Sequence, residues 1–135
     1  KKNLALLPNQ TLHFELGRSL VAQCGSLIAR VLYIKPAERT SFMVLDAGMT
    51  ELIRPALYRS FHFIENLSSQ EGSVVYDVVG PICETSDAFA RDLSLPETKR
   101  GDMLAIRSAG AYGEVMASQY NLREVAPSIF SDDFK

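Results

Sequence analysis

Short runs of β-branched and aromatic residues, separated by polar turns, form the main pattern of the chain and predict β-strands. The first strong run covers residues 26–34, and the second covers 42–46 after a turn, so the two together indicate a hairpin. The clearest run is 73–79, a further run covers 103–107, and residues 61–64 continue the apolar–polar alternation. Short strands at these intervals, with little helix, favour a mainly β fold, either an antiparallel barrel or a sandwich.

Helical spacing of apolar residues occurs in two places. Residues 50–58 have it, but Pro55 is tolerated only in the first turn of a helix or at a break, so the segment predicts a short, interrupted helix. Arg54 and Tyr58 are four residues apart and would lie on one face of it. Residues 113–119 predict a further helical turn.

The remaining segments carry weaker signals. Residues 3–7 predict a helix remnant or a linker, and 11–14 predict a short strand. Residues 19–25 fit a helical turn or a strand. The stretch 84–102 predicts a loop, because it ends in proline and Gly-Asp turn signals, and 128–130 predict an edge strand.

Composition bounds the class of protein. The 135 residues fit one domain, and 47% hydrophobic residues, 22% charged residues and a net charge of -2 are ordinary for a soluble globular protein. Dispersed charge of both signs argues against nucleic-acid binding, which needs clustered Lys and Arg. No apolar run approaches the roughly 20 residues of a membrane helix, and a secretory leader is not expected.

The cysteines and histidines give no metal-site signature. Cys24 and Cys83 are far apart and outside any CxxC spacing, so neither a metal ion nor a disulfide is expected, and reduced thiols in a cytoplasmic protein are the default. We expect Cys24 in the core, where free cysteines are common. His13 and His62 are expected to be packing or surface residues. Cys83 differs because it follows a strand and a Gly-Pro turn and precedes the carboxylate of Glu84.

Cys83-Glu84 belongs to a series of four motifs with a fixed order. That order resembles the C-terminal half of the diaminopimelate decarboxylase family, pyridoxal-phosphate enzymes of the alanine-racemase-like group, and the resemblance extends from about Glu15 to about Arg123. The family usually has proline where this chain has Leu16, which puts only the rigidity of that loop in doubt. The motifs are Glu15-Leu16-Gly17-Arg18, Asp46-Ala47-Gly48-Met49 with Arg54-Pro55-Ala56-Leu57-Tyr58, Gly80-Pro81-Ile82-Cys83-Glu84, and Ala109-Gly110-Ala111-Tyr112-Gly113.

The resemblance implies a domain organisation. Residues 1–18 would be the remnant of the end of a (β/α)8 barrel that binds pyridoxal phosphate, and 19–135 would be the C-terminal antiparallel β-barrel domain with short helices. The barrel of the family supplies the lysine that holds the cofactor and a glycine-rich phosphate loop, and neither motif occurs in this chain. The fragment alone is therefore expected to be inactive and not to bind the cofactor covalently.

The resemblance also assigns cofactor and substrate contacts. Glu15 would pair with the pyridine nitrogen, and Gly17 would let backbone amides approach the cofactor phosphate. Arg18 and Tyr112 would contact both cofactor and substrate. Arg54 and Tyr58 would bind substrate, because guanidinium groups bind carboxylates with paired hydrogen bonds. Surface or core roles for Arg54, Tyr58 and Tyr112 are the alternatives.

Cys83 and Glu84 would act across a subunit interface. In the resembling family this cysteine enters the active site of the partner in a homodimer, and the adjacent acidic residue goes with it. Cys83 would be the proton donor, since an unperturbed thiol is mostly protonated at neutral pH. Glu84 would receive the distal ammonium of the substrate.

The implied activity is the decarboxylation of meso-2,6-diaminopimelate to L-lysine and carbon dioxide, a step of lysine biosynthesis. The second carboxylate of that substrate is what Arg18 and Arg54 would select. A related decarboxylase acting on a polyamine precursor such as carboxynorspermidine is the alternative within the class. A non-catalytic dimerisation or binding module is the alternative outside it.

Overall fold

The computed structural model describes residues 5–134, and its regular structure is almost entirely β. One α-helix lies between two of the strands, and single turns of 3₁₀ helix precede the first strand and follow the last. The strands are β1 (Ser26–Lys35), β2 (Ser41–Leu45), β3 (Ile64–Asn66), β4 (Val74–Val79), β5 (Ala88–Leu95) and β6 (Met103–Arg107), and the helix is α1 (Arg54–Tyr58).

The six strands form one barrel-like sheet in the order β3-β6-β1-β2-β4-β5. Strand β1 pairs antiparallel with both β2 and β6, and the pairs β3–β6 and β4–β5 are also antiparallel. Strands β2 and β4 run parallel, because the segment that contains α1 and β3 crosses over between them. The predicted mainly β, barrel-like class is confirmed, with one parallel pair inside it.

Alternate residues of the central strands build the core. Val31 of β1, Met43 of β2, Val78 of β4 and Leu104 of β6 each have at most 1% of their surface exposed. In β1, β2 and β4 their neighbours are less buried, as the two-residue period of a strand predicts, and there the sequence pattern and the burial pattern agree. In β6 the successive residues Leu104, Ala105 and Ile106 are all fully buried.

The prediction was right where the apolar runs are regular. The hairpin of β1 and β2 and the strands β4 and β6 lie within one residue or so of their predicted bounds. The strand predicted at 61–64 is β3, displaced toward the C-terminus. A 3₁₀ turn at Glu114–Met116 confirms the predicted helical turn, and 3₁₀ turns occupy the ambiguous segment 19–25.

The loop predicted at 84–102 was wrong, because β5 covers eight of its residues. The register of β5 against β4 shifts twice, and Asp92 has a left-handed φ of 48°. These irregularities interrupt the apolar–polar alternation that would have marked a strand. Asp92 is held by Asp77 Oδ1, which accepts its backbone N–H at 2.9 Å, and by the guanidinium of Arg39.

The predicted terminal strands were also wrong. Residues 11–14 and 128–130 form no strand, because a strand needs a hydrogen-bonded neighbour and neither segment has one in the described chain. Residues 3–7 were predicted to be a helix remnant or a linker; residues 3 and 4 lie outside the described residues, and 5–7 are not helical. The helix predicted at 50–58 is shorter, beginning at Arg54 with Pro55 in its first turn. Cys24 is exposed, not in the core, and its thiol donates to the carbonyl of Val21 at 2.8 Å.

Candidate active site

The short helix α1 presents Arg54 to two aromatic rings. The guanidinium carbon of Arg54 lies 5.2 Å from the centre of the Tyr58 ring and 5.8 Å from the centre of the Tyr112 ring. Tyr58 is one helical turn away, and Tyr112 comes from the loop after β6. Both distances are within the range of cation–π attraction. The structure therefore brings together three of the predicted site residues from two distant parts of the chain.

The loop that carries Tyr112 has an unusual backbone. Tyr112 has a φ of 59°, a left-handed conformation that costs free energy for a residue with a large side chain. Arg18 holds this loop in place, because its Nη2 donates to the carbonyl of Ser108 at 2.9 Å. Gly110 lies so close to Gly25 that a Cβ on Gly25 would be 2.6 Å from the Gly110 Cα. Such strained, firmly held residues cluster at ligand-binding sites.

The described chain has several buried side-chain polar atoms without a hydrogen-bond partner. Besides Nε of Arg123, they are Nε of Arg18, Nε of Arg54, Oγ of Ser60 and Nε2 of His62. A buried donor without an acceptor costs about 1–3 kcal/mol, so an unpaired group in a native structure calls for an explanation. A bound anion such as a carboxylate or a phosphate would satisfy the guanidinium donors.

His62 is buried between these cations. Its Nδ1 donates to the carbonyl of Arg107 at 2.9 Å, which leaves Nε2 as the acceptor in the neutral ring. Burial lowers the pKa of His62 below its usual 6.5, and the positive charges of Arg18 and Arg54 lower it further, against the opposing effect of the Arg107 carbonyl. The imidazole is neutral at physiological pH, so the positive charge of the site comes from the arginines.

Cys83 and Glu84 lie in the loop between β4 and β5. Both are exposed, and the Glu84 carboxylate accepts a hydrogen bond from the Tyr120 hydroxyl at 2.6 Å. Glu84 and Tyr120 line a cavity of about 290 Å³ that also includes Thr50 and Ile53. The lining of this cavity includes neither Arg54, Tyr58 nor Tyr112. The predicted site residues thus form an arginine–tyrosine group and a cysteine–glutamate group.

Asp87, which the sequence analysis did not identify, fixes the loop before Cys83. Only 4% of its surface is exposed, and its carboxylate accepts the backbone N–H of Ile82 at 2.7 Å and that of Met49 at 2.6 Å. A Cβ on Gly48 would lie 2.7 Å from this carboxylate, so the glycine is required for the close approach. Burial raises the pKa of Asp87 above its usual 3.8, against the opposing effect of the two amide donors. A polar turn directly after a strand was the only signal for this residue in the sequence.

A second buried carboxylate orders the loop before α1. Glu51 Oε2 accepts the backbone N–H of Gly48 at 2.7 Å and the hydroxyl of Thr50 at 2.8 Å. Arg123 donates to the carbonyl of Asp46 at 2.6 Å, and its Nε lies 3.8 Å from Glu51 Oε1. These contacts hold the segment from which Arg54 projects, and they too were missed.

Glu15 and Gly17 are exposed on the N-terminal segment. A Cβ on Gly17 would meet no atom within 4 Å, so nothing in this chain requires glycine there. Their predicted cofactor contacts stay predictions. Among residues 5–134, no cluster of three or more His, Cys, Asp or Glu side chains has the geometry of a metal site, and no helix is long and apolar enough to span a membrane.

The barrel-like sheet and the short Arg-Pro helix lie within the part of the chain that a family model matches. The family model described as the pyridoxal-dependent decarboxylase C-terminal sheet domain matches residues 19–110. The chain belongs to this family.

Relatives named diaminopimelate decarboxylase are similar to the chain over nearly its whole length. The one from Bacteroides thetaiotaomicron is 59% identical over 130 residues, which cover 96% of this chain and 34% of that protein. The solved structure of diaminopimelate decarboxylase from M. jannaschii with L-lysine has a TM-score of 0.78 and 43% identity, and the match covers 81% of this chain and 25% of that one. The Helicobacter pylori enzyme complexed with L-lysine has a TM-score of 0.73 and 50% identity, over 79% of this chain and 26% of that one. The chain therefore spans about a third of the length of the curated relatives that it matches.

Proposed function

We propose that the chain is the C-terminal domain of a pyridoxal-phosphate-dependent diaminopimelate decarboxylase. The whole enzyme would convert meso-2,6-diaminopimelate to L-lysine and carbon dioxide. The observation that carries the proposal is the contact of Arg54 with the rings of Tyr58 and Tyr112. The Nε atoms of Arg54 and Arg18 are both buried and unpaired, and the charges of both arginines act on His62. Relatives of this name at up to 59% identity support it.

The arginine–tyrosine group suits the binding of a dicarboxylic amino acid. A planar guanidinium group donates two paired, directional hydrogen bonds to a carboxylate, and an arginine already stacked on aromatic rings loses little conformational freedom when it binds. Because His62 is neutral, it does not compete with the arginines for the anion, and its Nε2 adds a hydrogen-bond acceptor to the site. A substrate without a second carboxylate would leave these donors unpaired, and this is how the site would select diaminopimelate.

The residues present also fit the cofactor that the family implies, because the unpaired donors, the stacked rings and the open space above Gly17 suit an anionic aromatic group. Pyridoxal phosphate, when bound, withdraws the electrons that carbon dioxide leaves behind. Glu15 would keep the ring nitrogen protonated, and Gly17 with Arg18 would contact the phosphate side. Tyr112 would reach both cofactor and substrate.

Cys83 and Glu84 would complete the site of a partner subunit in a homodimer. Both residues are exposed, and the cavity at Glu84 is not lined by Arg54, Tyr58 or Tyr112; these observations support a contribution in trans. The Cys83 thiol would give its proton to the α-carbon after carbon dioxide leaves, and Glu84 would bind the distal ammonium. A cytoplasmic location belongs to the same proposal, and it is supported by two exposed free cysteines, which suit a reducing compartment.

The test uses the full-length protein with pyridoxal phosphate and meso-diaminopimelate. Lysine and carbon dioxide should appear in equal amounts, and neither should form from ornithine at a comparable rate. Consumption of ornithine or carboxynorspermidine in place of diaminopimelate would assign the enzyme to another branch of the family. The absence of any decarboxylation by a folded, cofactor-loaded protein would favour a non-catalytic module.

A further inference from the structure

The hydrogen bond between Tyr120 and Glu84 connects two segments that are far apart in the sequence. The Tyr120 hydroxyl donates to Glu84 Oε1 at 2.6 Å, a short distance typical of a bond to a charged acceptor. Within residues 5–134, it is the one hydrogen bond that the Glu84 carboxylate makes with a side chain. The orientation of this exposed carboxylate therefore depends on Tyr120.

Both partners are presented by backbone that is itself held in place. The N–H of Ser118, two residues before Tyr120, donates to the carbonyl of Thr50 at 2.9 Å. On the other side, the N–H of Glu84 donates to the carbonyl of Ile82 at 2.8 Å, and the N–H of Asp87 donates to the carbonyl of Glu84 at 3.0 Å. The two side chains meet at the rim of the 290 Å³ cavity because these segments are fixed.

The Tyr120 hydroxyl is suited to act as a permanent donor. The hydrogen bond to Glu84 and the negative charge of that carboxylate raise the pKa of Tyr120 above its usual 10.0. The hydroxyl thus stays protonated throughout the physiological range. The hydroxyl occupies Oε1 of Glu84, and the other carboxylate oxygen is available for a cation.

We propose that Tyr120 is a positioning residue that orients Glu84 for the ammonium group at the end of the substrate remote from the reacting carbon. The inference rests on the proposed function, because that function assigns the ammonium to Glu84. Tyr120 does not touch the reacting atoms, and its effect on the reaction passes through Glu84 alone. Its loss is expected to weaken substrate binding rather than the chemical step.

The experiment compares full-length wild type with Tyr120→Phe, Glu84→Gln and the double variant, using meso-diaminopimelate and pyridoxal phosphate. Tyr120→Phe should raise KM about three- to tenfold with kcat changed less than about twofold, the effect of one hydrogen bond to a charged group. In the Glu84→Gln background the same substitution should change KM less than about twofold, since the charge to be oriented is gone. Tyr33→Phe, at an exposed tyrosine of β1, is the matched control and should behave as wild type.

Three results would overturn the inference. They are an unchanged KM in Tyr120→Phe, KM effects of the two substitutions that multiply in the double variant, and an unfolding midpoint lowered by more than about 5 °C, which would make Tyr120 a residue of the fold. If wild type and Tyr33→Phe fail to decarboxylate diaminopimelate, the proposed function fails, and the inference that depends on it falls with it. An active wild type with an unaffected Tyr120→Phe removes only the inference.

Discussion

Replacing Asp87 with alanine tests whether a buried carboxylate holds the loop that presents Cys83. The substitution leaves the N–H of Ile82 buried without an acceptor, which costs about 2–3 kcal/mol, and the partly buried N–H of Met49 adds about 1 kcal/mol because water can reach it. Removal of a desolvated carboxylate returns about 1 kcal/mol. The free energy of unfolding should therefore fall by about 2–3 kcal/mol, a large part of the 5–15 kcal/mol typical of a domain.

Urea unfolding of the 135-residue chain, followed by far-UV circular dichroism and tyrosine fluorescence, measures this loss. The chain contains no tryptophan, so the tyrosine signal is not obscured. Asp46→Ala is the matched control, because Asp46 is exposed and its carboxylate accepts one backbone N–H, that of Arg30 at 2.8 Å. Water can replace it, and the loss should stay below about 1 kcal/mol. Equal losses in the two variants would refute the reasoning that burial of the amides sets the cost.

Three further predictions concern other contacts. Arg54→Ala in the full-length enzyme should raise KM for diaminopimelate at least about tenfold in a steady-state lysine assay. Arg54→Lys should restore only part of the substrate affinity, because lysine lacks the planar guanidinium group. An unchanged KM in Arg54→Ala would contradict the role of this arginine in substrate binding. Because burial lowers the pKa of His62, the unfolded chain binds a proton near pH 6.5 that the folded chain does not, so stability should fall as the pH drops below about 6.5. His62→Gln should flatten that part of the stability profile, and a slope identical to wild type would contradict the assignment. Gly80→Ala should lower the free energy of unfolding by about 2–3 kcal/mol, since its Cβ would lie 2.5 Å from the Gly48 Cα. Gly101→Ala is the control: it has open space around the Cβ but a φ of 94°, and it should lower the free energy of unfolding by about 1 kcal/mol. A smaller loss for Gly80→Ala than for Gly101→Ala would contradict the crowding argument.

The local pattern of apolar and polar residues was sufficient to predict structure where it matches the pattern of buried and exposed residues. Strands β1, β2 and β4 have apolar residues at the alternating positions that face the core, and β6 is a short apolar run that is buried at three successive residues. Arg54 and Tyr58 were predicted to share a face from their four-residue spacing alone, and the stacked contact confirms it. Strand β5 was missed because its bulged register breaks the two-residue period.

The sequence by itself determined the mainly β class, the bounds of four of the six strands, the approximate place of β3, the Arg54–Tyr58 pair and the motifs that carry the family resemblance, because each of these depends on neighbours a few residues apart. Only the tertiary structure decided the contacts between distant segments: the parallel pairing of β2 with β4, Tyr112 over Arg54, Asp87 beneath the Cys83 loop, and Tyr120 on Glu84. Glu84 and Tyr120 are 36 residues apart, and nothing in their local sequence favours the contact. Such pairs form only when folding of the sheet brings the two distant segments together, so their geometry is a property of the whole fold.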